Sequence, residues 1–205
     1  MKPHYWNTAK EYLTKRDKLL GKIISEYHGE FLTVRGDAFY TLARSIIGQQ
    51  ISVKAADSVW RKFESFLPSI TSQQVINANE DGLRACGLSA SKVRYLNALS
   101  QFFLENPTIS EDWQQMNDAE IEKSLTSIKG IGRWTAEMFM IFYLARPDIF
   151  PITDIGLQKA IFRNYNNYER LSTDKIHELA EVWKPYRTVA TWYLWRSLDP
   201  VPVAY

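Results

Sequence analysis

The chain has 205 residues, 45% of them apolar and 23% charged, which fits one globular domain or two small lobes and excludes a disordered or fibrous protein. A lone cysteine, Cys86, excludes an internal disulfide framework and a four-cysteine iron–sulfur cluster, and His4, His28 and His177 lie too far apart for a compact metal motif. The net charge of +2 hides a pattern: residues 1–67 carry eleven Lys/Arg against seven Asp/Glu, residues 126–197 ten against seven, and residues 68–125 four against eight. Basic ends around an acidic middle suit a protein that turns one side to a polyanion, and also suit many soluble enzymes. No run approaches the length of a membrane-spanning helix, and the N-terminus lacks the apolar stretch of a secretory signal. A soluble intracellular protein is therefore expected, in the cytoplasm, nucleoid or nucleus.

Nearly every segment reads as helix. Ala9, Tyr12, Leu13, Leu20, Ile23, Ile24 and Tyr27 recur at three- and four-residue steps, which predicts one amphipathic helix ending before His28-Gly29. Glu30–Val34 is the one stretch that reads as a short strand. Phe39, Leu42, Ile46 and Ile47 predict a second helix, and Val53, Ala56, Trp60, Phe63 and Leu67 a third that stops at Pro68. Val93, Leu96, Leu99 and Phe103 predict another, ended by Asn106-Pro107. After Ile121, Leu125 and Ile128 comes a Gly-Ile-Gly turn, and then residues 134–145, apolar almost all round and so expected to be buried. Asp154 to Phe162, Thr173 to Trp183 and Pro185 to Ser197 complete the series.

The most informative stretch is residues 125–139, LTSIKGIGRWTAEMF. Gly130 and Gly132 permit a turn too tight for a Cβ, and Ile131 can plug between the flanking helices onto Leu125 and Ile128. The second helix then starts at Arg133 with unpaired backbone N–H groups, a ready site for phosphate, with Lys129 and Arg133 adding charge. Such a turn grips a nucleic-acid backbone without reading bases. The same tripeptide also serves as a plain helix connection.

The segment 125–139 resembles the helix-hairpin-helix of the DNA glycosylase superfamily. Twenty-two residues after Gly132 stands Asp154, in FPITDIGLQK, where that superfamily carries its catalytic aspartate. SIIGQQISVKAA at 45–56 and VWKPYRTVATWYLWR at 182–196 narrow the resemblance to the 3-methyladenine DNA glycosylase II family. The resemblance covers roughly residues 30–198 and implies an all-α, two-lobed fold around a cleft lined by the hairpin and the aspartate. The whole of 1–205 is then one glycosylase unit, with approximate lobes at 36–150, containing the hairpin, and at 1–35 plus 151–205.

From position alone, Asp154 reads as a helix N-cap ahead of an apolar-periodic helix. A carboxylate held there by dipole and backbone donors can also face the oxocarbenium-like sugar of a breaking glycosidic bond. The resemblance assigns Asp154 that catalytic role. The position after Arg133 is a lysine in the superfamily members that also cut the strand, and it is Trp134 here, so a monofunctional enzyme without metal or other cofactor is implied. Trp134 and Trp195 match positions that line the family's base pocket, where an indole face holds a cationic alkylpurine. Met138 and Ile155 stand where some relatives place pocket tyrosines. Gln50, with Gln49 at the start of a helix, matches the residue inserted into the duplex, and Lys129, Gly130, Ile131, Gly132 and Arg133 would meet the DNA backbone. Lys184, Arg187 and Arg196 are further candidates for DNA contact, with an internal ion pair the alternative for Arg187.

The implied activity is hydrolytic excision of flipped-out alkylated purines, such as 3-methyladenine and 7-methylguanine, from duplex DNA. The expected partner is damaged duplex DNA, with no membrane and a monomeric protein. Two alternatives stay open at this point: a helix-hairpin-helix protein that binds DNA structure without catalysis, and a glycosylase for neutral deaminated bases such as hypoxanthine.

Overall fold

The computed structural model describes residues 1–34 and 36–198, the side chain of Val53 excepted. Thirteen helices follow one another among these residues, with no strand. The single N-terminal helix expected from the periodicity is two, α1 (Trp6–Arg16) and α2 (Lys18–Glu26). The break is Asp17: its backbone is extended, and its carboxylate accepts the Leu19 and Leu20 N–H groups at 3.0 and 2.9 Å as the N-cap of α2. The expected strand at Glu30–Val34 is irregular. Its backbone partner is residue 1, since the Val34 N–H donates to the Met1 carbonyl at 3.0 Å, and one such bridge makes no ladder.

Next come α3 (Ala38–Gly48), α4 (Val53–Phe66), α5 (Ser72–Asn77), α6 (Glu80–Ala85), α7 (Ala90–Glu105), α8 (Ile109–Gln115), α9 (Asp118–Thr126) and α10 (Arg133–Phe142). The short α5, α6 and α8 show too few turns for a periodicity to register, although α5 and α6 have ordinary caps: Thr71 accepts the Gln74 N–H and Asn79 the Gly82 N–H. Helices α11 (Ile155–Tyr165), α12 (Thr173–Glu181) and α13 (Arg187–Leu198) end the series. As expected, α10 is buried without interruption from Thr135 to Phe142.

The described residues divide into two compact units, 36–139 and 1–34 with 140–198. The second boundary thus falls inside α10, at Phe139/Met140, and not in the proline loop after residue 150. The reason is local. Residues 145–149 are bound to helices of the second unit: the Tyr5 hydroxyl donates to the Ala145 carbonyl, Thr188 Oγ1 donates to the Arg146 carbonyl and accepts the Ile149 N–H, and Arg187 chelates Asp148.

In the unit 36–139, α7 packs against α3 and α5, with Leu42, Ile46, Val75, Leu96 and Leu99 wholly or almost wholly buried. Trp113 of α8 stacks on Phe102, meets Phe139 edge-on at 5.1 Å, and donates its indole N–H to Ser124 of α9. In the other unit α13 packs against α1, α2 and α11 and is buried all round from Thr188 to Trp195. Trp6 meets Trp192 edge-on at 5.3 Å. The Asp17 carboxylate also accepts the Tyr165 hydroxyl at 2.6 Å and the Trp183 indole N–H at 2.9 Å, so one buried acid joins the start of α2 to the end of α11 and to the turn after α12. Burial and this acceptor push the Tyr165 hydroxyl far above the usual tyrosine range.

Candidate nucleic-acid interface and catalytic carboxylate

The hairpin lies between α9 and α10 in the unit 36–139. Leu125, Ile128 and Ile131 are buried beneath it, and the Ile131 N–H closes the turn on the Ile128 carbonyl at 3.0 Å. Its two glycines do different work. Gly130 has φ +94°, and a Cβ there would lie 2.2 Å from the Tyr95 ring of α7. Gly132 has nothing within 4 Å of such a Cβ and is exposed, so its side of the turn is open. Lys129 is exposed beside it. Arg133 is 63% exposed but directed along its own helix: Nε lies 3.0 Å from Glu137 Oε1 and 3.7 Å from Glu122 Oε1. That charge is already partnered, which leaves Lys129 and the first N–H groups of α10 as the groups the turn presents on its open side.

The turn between α3 and α4 is tied to the hairpin. Gln49 is the C-cap of α3, not the start of a helix, and its side-chain amide donates to the Gly130 carbonyl at 3.0 Å and to Thr135 Oγ1 at 3.1 Å. The Lys92 ammonium caps the same helix end from α7, 2.7 Å from the Ile47 carbonyl, and burial lowers it below the ordinary lysine value. Gln50 follows in the left-handed region at φ 59° with its side chain exposed, next to exposed Ile51. Of the glutamine pair, the first anchors and the second projects. Sequence reasoning singled out Gln50 and missed the anchoring role of Gln49 and Lys92, for which a sequence carries no signal.

In the other unit, Asp154 is the N-cap of α11 and 7% exposed. Its Oδ1 accepts the Leu157 N–H at 2.6 Å and the Trp195 indole N–H at 2.8 Å. Trp195 is 4% exposed, and its ring lies parallel to Phe142 with centroids 6.1 Å apart. Ile155, the first residue of α11, is 67% exposed beside the buried carboxylate. The proposed pocket residues therefore separate. Ile155 is exposed and Trp134 half-buried, whereas Met138 is 1% exposed within buried α10. Gly156 was not foreseen; a Cβ there would sit 3.1 Å from Asp154 Oδ1.

The basic residues of the last motif each have an acidic partner. Arg187 makes a two-pronged pair with Asp148, both N···O distances 2.8 Å; Arg196 pairs with Glu30 at 2.8 Å over the Tyr27 ring; Lys184 pairs with Glu181 at 2.7 Å. An open hollow of about 710 Å³ in the unit 36–139 is lined by Asp37, Tyr40, Arg44, Asp57, Trp60 and Glu64, none of them foreseen as site residues. Its polar groups satisfy one another, Arg44 with Asp57 at 2.7 Å and the Tyr40 hydroxyl with Glu64 at 3.0 Å.

An all-helical chain with a two-glycine hairpin opening a buried helix, and a second helix capped by a buried aspartate, defines the class: a helix-hairpin-helix protein equipped for both grip and chemistry. The model of the HhH-GPD superfamily of base excision DNA repair proteins matches residues 43–185, and the chain belongs to that superfamily. The DNA-3-methyladenine glycosylase 1 of Schizosaccharomyces pombe is 31% identical over 187 residues, which span 88% of this chain and 81% of that one. A DNA-3-methyladenine glycosidase structure from Bacillus halodurans superposes with a TM-score of 0.80 at 30% identity, covering 92% of this chain and 88% of that one. The S. pombe enzyme Mag1, solved in complex with abasic DNA, superposes with a TM-score of 0.81 at 26% identity, covering 97% and 100%.

Proposed function

We propose that this chain is a monofunctional DNA glycosylase of base-excision repair, acting as a monomer on alkylated, cationic purines such as 3-methyladenine and 7-methylguanine in duplex DNA. The observation that carries the reading is the Asp154 carboxylate, buried at the N-terminus of α11 with two N–H donors on Oδ1, in a chain whose relatives are named for 3-methyladenine excision. The hairpin supplies the grip on the backbone, through Lys129, Gly132 and the start of α10. Gln50, projecting from its left-handed turn, fills the gap left by the flipped nucleotide.

A purine alkylated at a ring nitrogen is already a cation. When the bond from C1′ to the base nitrogen breaks, its electron pair passes to the ring, which leaves as a neutral base. The sugar becomes oxocarbenium-like and the Asp154 carboxylate offsets that charge. Water oxygen then bonds to C1′ and its proton is released, giving an abasic site. No proton donor to the base is needed, and Trp134 in place of lysine removes the amine that would form a Schiff base.

The test is single-turnover release from methylated DNA beside duplexes bearing single lesions, with borohydride added to parallel reactions. Release of 3-methyladenine and 7-methylguanine should exceed that of hypoxanthine, and no covalent complex should be trapped. Equal or faster hypoxanthine release would overturn the cationic preference; a trapped complex would overturn the monofunctional assignment; no release of any base would leave a DNA-structure-binding protein.

A further inference from the structure

We propose that Trp195 and Gly156 are positioning residues for the Asp154 carboxylate, and that Trp195 acts through its indole N–H and not as a stacking face for the base. The proposal rests on the glycosylase reading above and deepens it at the same carboxylate.

The geometry is specific. Two donors of different origin meet on one oxygen: the Leu157 backbone N–H from α11's own first turn, and the Trp195 Nε1–H brought from α13, forty-one residues further along. Together the two donors hold Oδ1 from two directions and so restrict rotation about χ1 and χ2. Trp195 itself cannot shift to follow a moving acid. Its ring lies parallel to Phe142, and α13 is buried on every side from Thr188 to Trp195. A tryptophan so enclosed is poorly placed to offer an open face to an incoming base, but well placed to hold a hydrogen bond in fixed geometry.

Gly156 completes the arrangement by what it lacks. A Cβ there would lie 3.1 Å from Asp154 Oδ1 and 3.5 Å from both Cδ1 and Nε1 of Trp195. The approach to Trp195 is ordinary contact, whereas Oδ1 would have to give way by a few tenths of an ångström, which displaces the acceptor of the Trp195 N–H. Gly156 sits within the first turn of α11, where alanine is the better helix former, so the glycine is not explained by the helix. It is explained by the room the Asp154–Trp195 pair requires.

The experiment compares wild type, Trp195→Phe and Gly156→Ala in single-turnover excision of 3-methyladenine, 7-methylguanine and hypoxanthine, with affinity for an abasic duplex and thermal melting measured on each protein. Trp195→Phe keeps an aromatic ring on the Phe142 side and removes the indole N–H together with part of the ring, which is why melting is measured beside the rates. It should slow all three reactions by a similar factor, about tenfold to a hundredfold for a lost hydrogen bond to a charged group, with duplex affinity within about twofold. Gly156→Ala should slow excision by about tenfold while melting at the wild-type temperature or above it. Wild-type rates in Trp195→Phe would overturn the proposal. So would a loss confined to the two cationic bases, which is the signature of stacking. If Trp195→Phe does not fold, Gly156→Ala decides: a wild-type rate overturns the proposal and a slowed, fully folded enzyme upholds it. A wild-type protein that releases no base ends the glycosylase reading itself, an outcome distinct from all of these.

Discussion

On the proposed reading Asp154 has two tasks, and one substitution separates them. As an N-cap it needs an oxygen that accepts the Leu157 N–H, and asparagine provides one nearly as well. As the group facing a cationic sugar it needs a charge, and asparagine has none. Asp154→Asn should therefore melt near the wild-type temperature and bind DNA within about twofold, yet release 3-methyladenine at least a hundredfold more slowly. Single-turnover excision within a few-fold of wild type, in a variant shown to be folded, would remove Asp154 from the reaction. The neighbouring Ile155 shows the same residue-level economy: exposed at the first position of α11, it contributes surface without competing for the cap.

The hairpin makes its prediction at the level of the element. Gly130 and Gly132 look alike in sequence but face different constraints. At Gly130 an alanine would occupy a left-handed backbone and collide with Tyr95, so Gly130→Ala should lose about 1–2 kcal/mol of stability from the backbone alone. At Gly132 the backbone is ordinary and the space is open, so Gly132→Ala should melt like wild type. If the open side is where a phosphate seats, Gly132→Ala will nevertheless weaken DNA binding, and by the same factor for duplexes of unrelated sequence. Anisotropy titrations beside thermal melts distinguish the two variants. Unchanged affinity in Gly132→Ala would reduce the hairpin to a connection between helices. The Gln49 amide, bonded to the Gly130 carbonyl and Thr135, ties the turn to the end of α3.

Across the whole molecule, charge does not follow the pattern that the thirds of the sequence suggested. Residues 35–139, which hold the hairpin, carry eleven Lys/Arg and twelve Asp/Glu, while residues 1–34 and 140–204 carry fourteen and eleven. Arg133, Arg187, Arg196 and Lys184 each have an acidic partner. On the proposed reading, with Lys129 and the start of α10 as the grip, binding to DNA rests on a few backbone contacts and not on a broad basic face. At about −0.9 per phosphate, the slope of log affinity against log salt should be shallow, about −2 to −4. A slope steeper than about −6 would mean that a basic surface outside these residues dominates binding.

What the sequence determined by itself was whatever is local or periodic. The long helices, the buried run through α10, the hairpin with its two glycines, and Asp154 as a cap are all read from neighbours within a turn or two, because helix periodicity and capping are short-range physics. The strand at Glu30–Val34 and the unbroken first helix failed for a related reason: one meets only residue 1 and no partner strand, and the other is interrupted by Asp17, whose capping bonds and distant partners Tyr165 and Trp183 outweigh the continuous apolar pattern. Only the tertiary structure decided which charges are occupied, which glutamine anchors and which projects, and that the Trp195 N–H reaches Asp154. Those outcomes depend on which side chains meet across residues far apart in sequence, as with the forty-one positions between Asp154 and Trp195, and no local pattern encodes that meeting.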